Sequence, residues 1–250
     1  MQSNLMNATP TIKEVMVYER RDFNYIVLGG ATLAMCAGFV NIVSILHCTI
    51  TVSHNTGITS KMAISLARTE IPMFLYYASI VAAYLLGSTI VGFISQKEKF
   101  HYSRKYGFFL MGESLLLFIT TYLFKNNQNG SGTIVASLAL GVQNALFTNF
   151  SGAVVRTTHV TGLLTDIGLI LGHRLRGREE TKDMWRLKVL LPLFVGFVTG
   201  GCLATWSMDV FGLSCLYIPI FILGVGGLVW TVWRLKYQSS LFNKELTEKF

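Results

Sequence analysis

Apolar residues along this chain come in long runs separated by short polar loops, and the run lengths fall into two classes. Six runs, at about 26–50, 72–95, 106–124, 132–150, 189–208 and 213–235, suffice for a helix to cross roughly 30 Å of hydrocarbon, which takes about 20 residues. Two further pieces, 58–67 and 163–172, are half as long. Helices of that size span about 15 Å, half the hydrocarbon core. The pattern predicts an all-α membrane bundle of six transmembrane helices with two short re-entrant or broken helices. The loop KNNQNGSG at 125–132 divides the chain near its middle, and each half reads span, short helix, span, span. The expected organisation is an N-terminal segment (1–25), a first repeat (26–124), an outer linker (125–131), a second repeat (132–235) and a C-terminal tail (236–250). Three crossings per half would invert the second repeat relative to the first.

Composition agrees with a membrane class. Of the 250 residues, 52% are hydrophobic and 14% charged, against roughly a quarter charged in soluble domains. The net charge of +8 raises the question of nucleic acid, but its distribution answers otherwise. Residues 13–21, 97–105, 174–188 and 234–249 hold every Lys and Arg except Lys61, Arg68, Lys125 and Arg156. With both termini in the cytoplasm and both short helices returning to the side they left, all four basic segments become cytoplasmic, as the positive-inside rule requires. No nucleic-acid-binding signature accompanies the charge. Trp230 and Trp233 lie at the cytoplasmic end of the last span, and Trp206 and Tyr122 near outer ends, where amphipathic rings favour the interface. The N-terminal stretch before Tyr25 lacks a signal-type apolar core, so no cleavage is expected. Cys36, Cys48, Cys202 and Cys215 lack metal-ligand spacing and read as buried free thiols. No metal or cofactor is expected.

One polar, glycine-punctuated element is used twice. It runs from Gly38 to Arg68 and again from Gly141 to His173. Gly38 and Asn41 match Gly141 and Asn144 at an offset of 103; Ser53, His54, Thr56 and Gly57 match Thr158, His159, Thr161 and Gly162 at 105. Polar groups at membrane depth are costly and normally face a bundle interior or a wet cavity. An extended Thr51–Gly57 would reach about 23 Å, so each short helix can begin near the midplane. Thr56 and Thr161 are then suited to capping those helices, and two helix N-termini would meet at the bilayer centre as a seat for an anion or polar solute. Close packing of small residues is the plainer account of the Thr-Gly pairs. His54 and His159 suit either a proton relay or hydrogen-bonded packing. Lys61 and Asp166, also 105 apart, are expected to form an ion pair across the repeat interface, structural or gating. Arg156 and Glu113 complete the intramembrane charged set, with Glu113 expected to pair with Arg156 or Lys61 or to stand as a protonatable carboxylate.

With these motifs in view, the chain resembles the YoaK-type family of bacterial multi-pass membrane proteins, a domain of unknown function. The resemblance rests on Gly-x-x-Asn and the following Thr-Gly in the first half, and on GVQNA (141–145) and RTTHVTGLLTDIG (156–168) in the second. It covers about 26–235. Members commonly show Thr-Gly-Asn in the first half, where this chain has Ile58 after Gly57. The resemblance implies six spans in a bacterial cytoplasmic membrane and supplies no substrate.

The expected function is therefore a secondary transporter or channel-like permease for a small polar or anionic solute, sited at the repeat interface. A non-catalytic scaffold or partner subunit is the alternative. A hydrolase built on Ser151, His159 and Asp166 is less favoured, because neither a Gly-x-Ser-x-Gly elbow nor a His-Glu-x-x-His helix is present. The lipid bilayer is the expected partner, nucleic acid is not, and the sequence leaves the oligomeric state open.

Overall fold

A computed structural model describes residues 12–95, 105–150, 157–176 and 184–247. The elements are α1 (Ile12–Cys48), α2 (Asn55–Ala67), α3 (Ile71–Ile94), α4 (Lys105–Lys125), α5 (Asn129–Phe150), α6 (Val160–Leu175), α7 (Met184–Phe211), a 3-10 turn (Gly212–Leu216) and α8 (Tyr217–Thr247). No strand occurs among the described residues. Five stretches are long and apolar enough to cross a membrane: Val27–Cys48, Ile71–Ile94, Lys105–Lys125, Asn129–Asn149 and the 51-residue Arg186–Lys236. Side chains such as Phe93 (91% exposed) and Phe221 turn outward, as a helix does when lipid is its solvent.

The short helices are longer than the ten apolar residues predicted for each, because their first turns are helical too and α6 continues through His173–Leu175. The expected outer linker is shorter, since α5 already begins at Asn129. Thr49 and Thr69 (φ +58° each) take left-handed conformations immediately after α1 and near the end of α2, and each hydroxyl bonds the carbonyl of the residue before it. A left-handed β-branched residue is costly, so these two sites are firm stops. Gly212 (φ +54°) takes the same region without that cost and ends α7.

Contacts set the helix directions. Ala31 meets Gly196 and Met35 meets Gly200, so α1 and α7 run parallel. Ile80 meets Ser137 and Tyr84 meets Gly141, so α3 and α5 run parallel too. His47 bonds Asn129 (2.9 Å) near one end of the α1–α5 pair and Gln143 bonds the Leu33 carbonyl (2.8 Å) further along, which makes those two antiparallel. Gly107 meets Gly227 while Ser114 bonds the Ile220 carbonyl, so α4 and α8 are antiparallel. The chain therefore reverses at Gly212, and the last apolar stretch is two helices of opposite sense.

These crossings are close because glycine carries no Cβ. A methyl on Gly38 would sit on the Phe197 carbonyl, 3.0 Å from its carbon; one on Gly141 would sit on the Tyr84 carbonyl, also 3.0 Å from its carbon. Gly38 and Gly141 are 103 positions apart, Tyr84 and Phe197 113. Gly200 against Met35 and Gly87 against Leu138 repeat the relation at the same two offsets. The α1–α7 and α3–α5 crossings thus share the same two glycine-on-carbonyl approaches.

Candidate functional site

Asn41 and Asn144 organise the two polar stretches. Asn41 Oδ1 accepts from Val52 N (3.1 Å), Ser53 N (3.3 Å) and Ser53 Oγ (3.1 Å). Asn144 Oδ1 accepts from Thr157 Oγ1 (2.9 Å) and Thr158 N (3.1 Å), while its amide donates to Thr158 Oγ1 and to Tyr84 Oη (2.7 Å). Asn41 lies seven residues before the end of α1, and Asn144 six before the end of α5. At 1.5 Å per residue, each polar stretch has folded back by about 10 Å along the helix it left. Non-helical backbone at that depth needs internal partners, and the asparagine amide supplies them. The slip from an offset of 103 to one of 105 is the two extra residues between Asn144 and Thr158 relative to Asn41 and Ser53.

The return brings His54 and His159 to the N-cap positions of α2 and α6, with nearly the same backbone angles (φ −94°, ψ 72° and φ −88°, ψ 63°). Each histidine carbonyl accepts the first helical bond, from Ile58 N and Leu163 N. Each imidazole lies over the glycine three residues on, so a Cβ at Gly57 or Gly162 would strike the ring. That corrects the expected capping role of Thr56 and Thr161, which sit exposed within the first turns while Ser60 and Thr165 bond their carbonyls. Neither histidine makes a side-chain cap hydrogen bond.

The two helix starts do not converge. From the α1–α5 register, Asn41 and Asn144 differ in depth by about 13 Å. Laterally α2 packs on α3 and α6 on α7, and the short helices share no extensive contact. The Lys61–Asp166 pair is likewise absent. Asp166 instead binds Arg186 of α7 (2.8 Å), at a half-exposed position, and Lys61 is exposed on α2. Arg156 and Ser151 lie outside the described residues. Of the four thiols, Cys36 and Cys215 are buried, Cys48 is partly buried and Cys202 is exposed, which departs from the expectation of four buried thiols.

Three buried groups carry polarity that the matched element does not account for. Gln143 is fully buried, its amide bonding Leu33 O and Thr157 Oγ1 (3.2 Å) while its Oε1 has no partner among the described residues. Ser44 is also fully buried, its hydroxyl likewise without a partner among them. Glu113, midway along α4, is wholly buried and neither carboxylate oxygen has a partner among the described residues. Gln143 was readable in principle, as a polar residue inside an apolar span. Ser44, a single hydroxyl among small residues, gave no such signal.

A cavity of about 280 Å³ opens between α1, α4, α5 and α8, lined by residues of α1 from Leu28 to Leu33 other than Ala31, by Tyr106, Leu110 and Phe147, and by Ile222, Leu223, Gly226 and Trp230. Its wall is almost entirely apolar, with the tilted Tyr106 and Trp230 rings packed at one end, their centroids 5.1 Å apart. It exists because α1 and α8 scarcely touch, whereas α4 lies against α5 over a long contact.

The family model described as a protein of unknown function, DUF1275, matches residues 29–229. The chain belongs to the DUF1275 family. The YoaK-type proteins fall in that same family. No curated protein and no solved structure matches the chain. Membership confirms the resemblance seen in the paired Gly-x-x-Asn elements and assigns no activity to this DUF1275 protein.

Proposed function

We propose that this DUF1275 protein is a secondary transporter or channel-like permease of the cytoplasmic membrane. In this reading it has six crossings, cytoplasmic termini and two inverted three-span repeats. The alternating helix directions and the concentration of Lys and Arg at one end of the bundle support the topology. The observation that carries the function is a broken equivalence. Under the offsets that relate the two halves, α4–α5 corresponds to α8–α1, yet the first pair is packed and the second is parted around the cavity. The turn at 126–128 ties α4 to α5 at the matching end, whereas no short turn joins α8 to α1, so the gap between α1 and α8 is the one free to open and close around a solute.

The solute class follows from the wall. A cavity lined by Leu, Phe, Tyr and Trp suits a small solute with an apolar or aromatic body. Compact anions would need donors aimed into the space, and the paired helix ends that could have supplied them lie apart. Asn41 and Asn144 hold the return loops in this account, and His54 and His159 begin the short helices. Uptake by proteoliposomes across a panel of small aromatic, amphipathic and anionic solutes is the test. Saturable flux of a member with an apolar body supports the proposal. Folded, correctly inserted protein that moves none of them refutes it.

A further inference from the structure

The α4–α8 crossing is its own partner under the relation between the halves. Ser114 Oγ donates to the Ile220 carbonyl (2.8 Å), and Gly227 packs on the Gly107 carbonyl; Ser114 and Gly227 are 113 positions apart, as are Gly107 and Ile220. The same step carries Glu113 onto Gly226, and Gly226 lines the cavity. Glu113 therefore fills, on the closed side, the place that is empty space on the open side.

Its surroundings are equally specific. Glu113 stands one helical turn, about 4.5 Å of rise, beyond Leu110. Leu110, Leu33 and Leu223 form the deep end of the cavity, and all three are buried. The titratable groups near it are Cys36 on α1 and Tyr106 on α4 itself, both within reach of its charge. The facing segments of α5 (Thr133–Phe147) and α8 (Ile218–Gly227) contain no titratable residue. Both carboxylate oxygens lack partners among the described residues, an arrangement a neutral acid tolerates far better than an unpaired ion. A metal cation would ask for several oxygen ligands, whereas a thiol, a phenol and apolar walls suit a proton.

We propose that Glu113 is the proton-binding carboxylate of the membrane interior, loaded from the cavity through the Leu33–Leu110–Leu223 layer. Release toward the opposite side rests on the permease reading; proton binding itself does not. The balance is simple: one proton adds to a carboxylate oxygen and leaves from it again, with no other bond changed.

Infrared difference spectroscopy of the reconstituted full chain tests this without any flux measurement. At neutral pH the wild type should show the carbonyl band of a protonated carboxylic acid. Glu113→Gln should lose it, and Asp166→Asn should keep it. A wild type without that band, or a Glu113→Gln variant that retains it, overturns the proposal. Should Glu113→Gln fail to fold, dicyclohexylcarbodiimide, which modifies protonated acids in apolar sites, is applied to wild-type membranes and mapped by peptide mass spectrometry. Modification at Glu113 supports the assignment, and modification only elsewhere overturns it.

Discussion

Alanine at Gly38 or Gly141 tests whether the two interlocked crossings are equivalent. In a helix, glycine to alanine is ordinarily favourable by about 1 kcal/mol. Here the new methyl would lie on a backbone carbonyl of the neighbouring helix, Phe197 in one case and Tyr84 in the other. A backbone group cannot rotate away, so each helix pair must separate by on the order of 1 Å, which forfeits a quarter to a half of the dispersion attraction at the contacts nearest the crossing. Overpacking of this kind typically costs about 1–3 kcal/mol. Because the clash is with backbone the cost falls in the upper part of that range, about 2–3 kcal/mol, and the net expectation is a loss of about 1–2 kcal/mol for each variant, similar at the two sites. Gly92→Ala is the control, since nothing lies within 4 Å of the added methyl, and it should be neutral or slightly stabilising. Thermal or denaturant unfolding in one detergent, followed by tryptophan fluorescence, measures all three. Wild-type stability in Gly38→Ala, or a large loss at only one of the two glycines, would refute the reasoning.

Asn41→Ala and Asn144→Ala each strip partners from buried backbone N–H groups, a loss of about 1–3 kcal/mol per unsatisfied group. Hydrogen exchange should accelerate at 52–54 and 157–159 respectively, with unchanged protection there contradicting the hub role. A double-mutant cycle on Asp166 and Arg186 should give a coupling below about 1 kcal/mol, as befits a half-exposed pair. The same cycle on Lys61 and Asp166 should give none, and a clear Lys61 coupling would reverse the assignment. Cysteine placed at Asn127 should react with an impermeant reagent added outside the cell; reaction only from the inside would invert the topology.

The long apolar runs were enough to reveal an all-helical membrane bundle, because a membrane span must be apolar over about 20 residues whatever it packs against. The matched polar element was legible too, down to the slip between Asn41–Ser53 and Asn144–Thr158, since each asparagine bonds the residue that the slip aligns. What misled was direction. Periodicity says that a short helix returns, but not toward which neighbour, so α2 and α6 were expected to meet at the centre although each packs on its own flank. The Lys61–Asp166 pairing failed for the same reason, and Arg186 took Asp166 because α6 docks on α7. The threonines were favoured as caps on composition, yet the return loop delivers histidine to that position and the glycine beneath the ring accommodates it. The cavity left no trace in the sequence, because it arises from the parting of α1 and α8 rather than from any residue type.

Two spin-label distances, measured on one protein in lipid, test the central claim most directly. On a background with the four native cysteines replaced, one label pair spans the open gap at Leu28 and Val229. The other spans its counterpart at Ser131 and Leu116, displaced by 103 and 113 positions. The account predicts two populations for Leu28–Val229, shifted by a transported solute or a change of pH, while Ser131–Leu116, held by the turn at 126–128, stays short. A single fixed Leu28–Val229 distance, unmoved by solute or pH, would contradict it.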